Sequence, residues 1–306
     1  MANNLLQVIQ NNLEKIEKTF NLNVALRGNK IMFEGETRQK KNFKKYIEHI
    51  LEYSKENHEI NDSDLDMSLS MFYEGDIESI STELGSKIKI KINEKEIYPR
   101  SYNQKKYIKA IVKNDLVFGI GPAGTGKTFL AISMALNYLQ NKKIERIVLT
   151  RPVVEAGEKL GFLPGDIQQK VNPYFRPIYD SLYNLIGFDK TAELIEKEII
   201  EIAPLAYMRG RTIDNAFLFL DEGQNTLHTQ MKMFLTRFGQ NSKVVVTADI
   251  SQIDLPEPKK SGIFTATKIL NNIEGIKIVK LTEKDIVRHH LVQKIIEAYE
   301  RKKDET

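Results

Sequence analysis

Residues 117–132 read VFGIGPAGTGKTFLAI. Their centre, Gly121-Pro122-Ala123-Gly124-Thr125-Gly126-Lys127-Thr128, fits G-x-x-x-x-G-K-[ST] in full. Glycines at those places let backbone N–H groups close on phosphate oxygens, and a helix opening at Lys127 adds its positive end. In that pattern the Lys127 ammonium reaches the β- and γ-phosphates of a nucleoside triphosphate, and the Thr128 hydroxyl ligates Mg²⁺. The flanks suit the motif, with an apolar run before the loop and an apolar helical stretch after it.

A second group of reactive residues closes the run FLFLDEGQN, residues 217–225. Four apolar residues place Asp221 at the carboxyl end of a buried strand, where open α/β sheets bind their ligands. Asp221 can hold magnesium, and Glu222 can orient or deprotonate an attacking water. A kinase takes its proton from a bound substrate hydroxyl, so a glutamate beside the metal ligand points to water as the nucleophile. ATP hydrolysis coupled to work is the expected chemistry. In VVVTADISQIDLP, residues 244–256, another strand ends in Thr247 and Asp249, with Gln252 beyond. Gln252 is either a sensor amide near the γ-phosphate or part of a polar loop.

These residues need a scaffold, and 306 residues suffice for two domains. The chain has no cysteine, which excludes disulfides, zinc-thiolate sites and thiol nucleophiles, and its five histidines are too scattered to suggest a metal site. The amino-terminal run has no secretory pattern, and no stretch approaches the roughly 18–20 apolar residues of a membrane span, so a cytoplasmic protein is expected. Net charge is +4, made of −2 on residues 1–100 and +6 on the remainder. A basic remainder is compatible with nucleic acid without requiring it.

Residues 1–100 predict a small α-β-β-α unit. NLLQVIQNNLEKIEKTF has helical period, NVALRGNKIMFEGE reads as a hairpin turning at Gly28-Asn29, and RQKKNFKKYIEHILEYSKE is amphipathic. The following stretch, Glu56 to Glu83, carries nine acids and no Lys or Arg, and reads as a solvated polar segment. KIKIKINEKEIY is a strand or hairpin leading to the core. From about residue 101, strands are expected at DLVFGI, ERIVLT, NAFLFLD, SKVVVTA and IKIVKL. Helices are expected at 127–140, 167–186, 192–202, 226–238 and 262–271, with a last one at LVQKIIEAYERKK. Alternation of this kind predicts a parallel sheet covered on both faces.

GPAGTGKT, TRPVVEAGEKLGFLPGD, PLAYMRGRT, FLFLDEGQN, SQIDLP and DIVRHHLVQKIIEAYE occur in unbroken order. Together they resemble the PhoH-like ATPases, whose core is similar to superfamily 1 helicases. The resemblance covers roughly residues 95–300. It implies an α/β fold: a RecA-like P-loop NTPase core with a mainly parallel sheet flanked by helices (residues 96–306), preceded by a small α+β domain (residues 1–95) that binds RNA or a partner. It implies binding of ATP and Mg²⁺ by Gly121, Pro122, Ala123, Gly124, Thr125, Gly126, Lys127 and Thr128, with Asp221 and Glu222 as the magnesium and water carboxylates. Gln252 falls at the sensor position. Gln104 matches an adenine-reading glutamine, and is otherwise a solvated residue early in a helix.

Arg151, ending the second strand, matches a place that touches the nucleic-acid backbone, and could instead pair with Glu155 or Glu158. Arg288 matches an arginine that neutralises charge on the γ-phosphate, with Arg209 and Arg211 as alternates; its plain role would be to cap the last helix or pair with Asp285. Related helicases supply such an arginine from a second motor domain. A neighbouring subunit would take that part here, which implies a homo-oligomer, with a hexameric ring as one form. Other members read Gly-Asp before the sensor glutamine where this chain has Ala248-Asp249. A nuclease domain, found in another branch, is not expected, because the acids of 56–83 are not clustered at strand ends.

The implied function is helicase-like remodelling of RNA or ribonucleoprotein in ribosomal RNA maturation. The alternative is an ATP-dependent protein-binding switch that recruits an rRNA-processing endoribonuclease or assembly factor. The run Arg38, Lys40, Lys41, Lys44 and Lys45 suits RNA and equally an ordinary solvated helix face. The hairpin lacks the G-x-x-G of a KH domain.

Overall fold

The computed structural model describes residues 2–55, 59–86, 88–153 and 167–286, with the side chains of all but 2, 3 and 167–172. Its contacts divide the chain into two compact units. The first runs to Lys89 and adds Pro99–Lys105; the second holds Ile90–Tyr98 and continues from Lys106.

The first unit carries α1 (Ala2–Asn11), α2 (Leu13–Phe20), β1 (Asn23–Arg27), β2 (Lys30–Glu34), α3 (Thr37–Lys55), α4 (Asp62–Tyr73) and α5 (Ile80–Gly85). The expected first helix is broken at Asn12, whose side-chain amide donates to the Val8 carbonyl at 2.9 Å and to Asp62 at 2.7 Å. β1 and β2 pair antiparallel with Arg27 opposite Lys30, and Gly28 (φ +58°) takes the first turn position. Phe20 sits at the centre of this core, 5.1 Å from the Phe43 ring and 5.0 Å from Tyr46.

The acidic segment departs from expectation. It is no solvated face: Leu65, Met67, Leu69, Met71, Ile80 and Leu84 are buried in the same core, and Ser68 shares a 2.7 Å hydrogen bond with Tyr46. Its acids are used at the helix start, where Asn61 and Asp64 form a capping box and the helix dipole favours Asp62 and Asp64. Burial on more than one side hides the helical period that sequence reading depends on.

The second unit contains the hairpin β3 (Ile90–Ile92) and β4 (Lys95–Ile97), and α6 (Tyr102–Lys113) straddles the division. Then follow β5 (Leu116–Ile120), α7 (Lys127–Gln140), β6 (Arg146–Arg151), α8 (Ile167–Ile186), α9 (Phe188–Glu196), β7 (Ile200–Pro204), β8 (Ala216–Leu220), α10 (His228–Leu235), β9 (Lys243–Ala248), α11 (Gly262–Leu270) and β10 (Ile276–Lys280). The hairpin is held to α7 by Asn137, which donates to the Lys91 carbonyl at 2.8 Å, and by Gln140, which accepts from Asn93 N at 2.9 Å. It therefore belongs with the second unit, beyond a single cut near residue 95.

Six parallel strands lie in the order β10-β5-β9-β8-β6-β7. β5, β8 and β9 are apolar along almost their whole length because helices cover both faces, and this is the RecA-like P-loop architecture. The sixth strand is a correction. Residues 192–202 were expected as one helix, but α9 ends at Glu196, Glu198 turns with φ +55°, and Ile200–Pro204 pairs with the outer edge of β6. The β-branched residues of IEIAP suit an edge place that β6 leaves open.

Candidate active site

The sheet order puts β9 between the strand that leads into the phosphate loop and the strand that ends at Asp221. Polar residues after three strands therefore converge at one edge, lining a cavity of about 270 Å³. Its lining includes Gly124, Gly126, Lys127 and Thr128, Asp221 and Glu222, Thr247, Asp249 and Gln252, and Pro177 and Ser181 of α8.

Gly121 is clasped on both sides. Its N–H donates to Ala248 O at 3.0 Å, and a Cβ there would come within 2.5 Å of Leu281 O. Gly126 (φ +77°) stands at the N-cap of α7, a backbone shape that L side chains rarely adopt. Lys127 is buried, only 8% exposed. Its ammonium donates to the carbonyls of Gly121 (2.6 Å) and Pro122 (2.8 Å). Burial lowers its pKa, against the opposing pull of Asp249, Asp221 and Glu222.

Asp221 is buried at the end of β8, and one of its oxygens accepts from both Thr128 Oγ1 (2.9 Å) and Thr247 Oγ1 (2.6 Å). A hydroxyl and a carboxylate within hydrogen-bond distance form a hard-oxygen set that suits magnesium, so Thr128 and Asp221 fit the ion expected there. Glu222 has a left-handed backbone (φ +55°), which turns the chain immediately after the strand. Burial, and then the neighbouring Asp221, raise its pKa; Gln224, Arg151 and Lys127 act in the other direction.

Gln224 escaped the sequence reading. It is fully buried, its amide donates to the Glu222 carboxylate and to Gln252 O at 3.0 Å, and its side-chain oxygen accepts from Asp249 N at 2.9 Å. One side chain thus ties Glu222 to the loop after β9. The signal available was only a glutamine two residues past an acid. Asn225 repeats the link one residue on, in a reciprocal pair with Asp254 at 3.0 and 2.8 Å.

Arg151 faces inward. Its guanidinium lies 3.4 Å from the Glu222 carboxylate and donates to Tyr174 O at 2.8 Å; Glu155 and Glu158 fall outside the described residues. Gln252 lines the cavity. Gln104 is buried, contrary to the solvated reading, and its side-chain oxygen accepts from Arg100 N at 2.7 Å within the first unit. Of the arginine candidates, Arg211 forms a two-pronged pair with Glu201 (2.6 and 2.7 Å), Arg209 is exposed, and Arg288 lies outside the described residues.

The PhoH-like protein family matches this chain over residues 96–300. This chain belongs to the PhoH-like family. It is 47% identical to the PhoH-like protein of Bacillus subtilis (strain 168) over 289 residues, 94% of this chain and 91% of that one. To the PhoH-like protein of Mycobacterium tuberculosis (strain ATCC 25618 / H37Rv) it is 45% identical, across 97% of this chain and 84% of that one. Protein PhoH of Escherichia coli (strain K12) is 46% identical over 205 residues, 66% of this chain and 58% of its own length. Among solved structures, the Sulfolobus solfataricus SWI2/SNF2 ATPase core in complex with dsDNA aligns with TM-score 0.36 and 11% identity, over 60% of this chain and 44% of that one. A PhoH-like P-loop NTPase binds nucleotide. No helix among the described residues is long and apolar enough to cross a membrane.

Proposed function

We propose that this PhoH-like NTPase hydrolyses ATP with magnesium and applies the turnover to RNA or ribonucleoprotein, as a helicase-like remodeller in ribosomal RNA maturation in the cytoplasm. The observation that carries hydrolysis is the division of labour between adjacent carboxylates. Asp221 is fixed by two hydroxyls, whereas Glu222 lines the cavity and is steered by Gln224 and Arg151. Lys127 and the N–H groups at the start of α7 bind the phosphates. Thr128 and Asp221 would hold magnesium, which when bound draws charge from the β- and γ-oxygens. Glu222 accepts a proton from the attacking water and Gln252 reports the γ-phosphate; the family resemblance assigns adenine reading to Gln104.

Support for RNA comes from the family resemblance, from the +6 charge of residues 101–306, and from the exposed Arg38, Lys40, Lys41 and Lys44 on α3; Lys45 is paired with Glu78. A shared site in a homo-oligomeric ring, with an arginine such as Arg288 given in trans, belongs to the same proposal, as does an endoribonuclease partner.

Single-stranded RNA is expected to raise ATP turnover. Its affinity should fall with salt at a log–log slope near −0.7 for each phosphate neutralised. Turnover indifferent to every RNA tried, with no affinity at low salt in any nucleotide state, overturns the RNA reading and leaves the protein-binding switch. Phosphate appearing on an added hydroxyl compound instead of free in solution would make the chain a kinase.

Gln224→Ala is expected to lower turnover roughly 10–100-fold while ATP affinity changes much less, because it orients the base without touching the phosphates. Equal losses in affinity and turnover, measured by nucleotide titration and phosphate release, would show that Gln224 only holds the fold.

A further inference from the structure

We infer that the turn Leu205–Met208, with the outward side of α10, is a seat for single-stranded nucleic acid, and that Tyr207 is the platform on which a base stacks. This deepens the RNA reading above and rests on it.

The turn follows the edge strand β7 and is rigid for identifiable reasons. Leu205 and Met208 are buried at its two ends. Arg211 is fixed to Glu201 by two hydrogen bonds, and Arg237 donates from one nitrogen to Arg211 O at 2.9 Å and from another to Met233 O at 2.9 Å. A segment anchored on both sides would normally turn its large side chains inward. Tyr207 is instead 52% exposed, and its neighbours Ala206, Arg209 and Gly210 are exposed with it. A ring held outward by a stiff backbone loses little entropy when a flat partner covers it, which suits a stacking surface.

The charge around the turn selects the occupant. α10 packs against the turn and exposes His228 and Lys232. Residues 202–213 and 226–238 contain three arginines, a lysine and a histidine and no acid. The acids that flank residues 202–213 in the chain are engaged, Glu201 by Arg211 and Asp214 by Gln240 N at 2.7 Å. Arg209 has no carboxylate partner among the described residues. Tyrosine and arginine also anchor protein interfaces, but a surface with cations and no exposed acid in these two segments fits a polyanion, and the aromatic ring fits its bases.

The test uses the full chain and fluorescein-labelled single-stranded oligouridylate, read by anisotropy with and without a non-hydrolysable ATP analogue. Tyr207→Ala should weaken binding roughly 5–150-fold, with the salt slope unchanged because no charge is lost. Tyr207→Phe should keep native affinity, since the ring remains. Arg209→Ala should reduce the magnitude of the slope by roughly 0.7. RNA-free ATPase and melting temperature should stay native in both Tyr207 variants and so report correct folding. Native affinity in Tyr207→Ala, with the wild type binding the strand, overturns the platform and spares the RNA reading. No binding by the wild type in either nucleotide condition overturns both. An oligomer that Tyr207→Ala dissociates, with strand binding unaffected in the separated chains, makes this surface an interface between copies and also overturns the platform.

Discussion

Glu222→Gln is expected to bind ATP with near-native affinity and to cleave it roughly 10²–10⁴-fold more slowly, the usual worth of a positioned general base. The amide keeps the shape of the carboxylate but cannot take a proton from water. The surrounding geometry sharpens the expectation. The Gln224 amide donates to Glu222 and the Arg151 guanidinium lies 3.4 Å from it, so a neutral amide there can still accept from Gln224 while losing the ion pair. Asp221→Asn should behave differently, weakening the magnesium requirement and nucleotide binding together, because Asp221 is the oxygen on which Thr128 and Thr247 converge. Nucleotide titration and phosphate release on the two variants separate these roles. Native turnover by Glu222→Gln would remove the water-activating glutamate and bring forward a reaction in which a substrate hydroxyl supplies the proton.

Lys127→Ala is expected to lose both ATP affinity and turnover. A hydrogen bond to a charged group is worth about 1.5–3 kcal/mol, so binding should weaken roughly 10- to 150-fold for each phosphate contact the ammonium makes. Because the side chain is buried and feels the charges of Asp249, Asp221 and Glu222, its removal also takes away a cation that acts on all three carboxylates. A modest fall in melting temperature without nucleotide should accompany the loss, with the circular dichroism of a folded chain retained. A folded variant that hydrolyses ATP at the native rate would refute the assignment of the phosphate site.

Much of this was legible in one dimension because it is local. The loop Gly121–Thr128 needs its glycines and lysine at fixed spacing, since consecutive backbone N–H groups and one side chain must surround the same phosphates. Helix α7 and strands β5, β6, β8, β9 and β10 were readable from apolar runs of the right length, and Asp221-Glu222 from their place after one such run. Local pattern failed where burial or pairing at a distance decides. α4 is buried on more than one side and so shows no amphipathic period, and β7 is a strand because β6 offers it an edge.

The site's inner connections belong to the tertiary structure alone. Sheet order placed β9 beside β8, which let Thr247 meet Asp221 across 26 residues and Gln224 meet Gln252 across 28. It also buried Lys127 against the loop's own carbonyls and turned Arg151 towards Glu222. Hydrogen bonds of this kind leave no periodic trace in the chain. Their partners are chosen by which strands lie side by side, so the sequence specified the reactive groups and the packing of the sheet specified which of them act on one another.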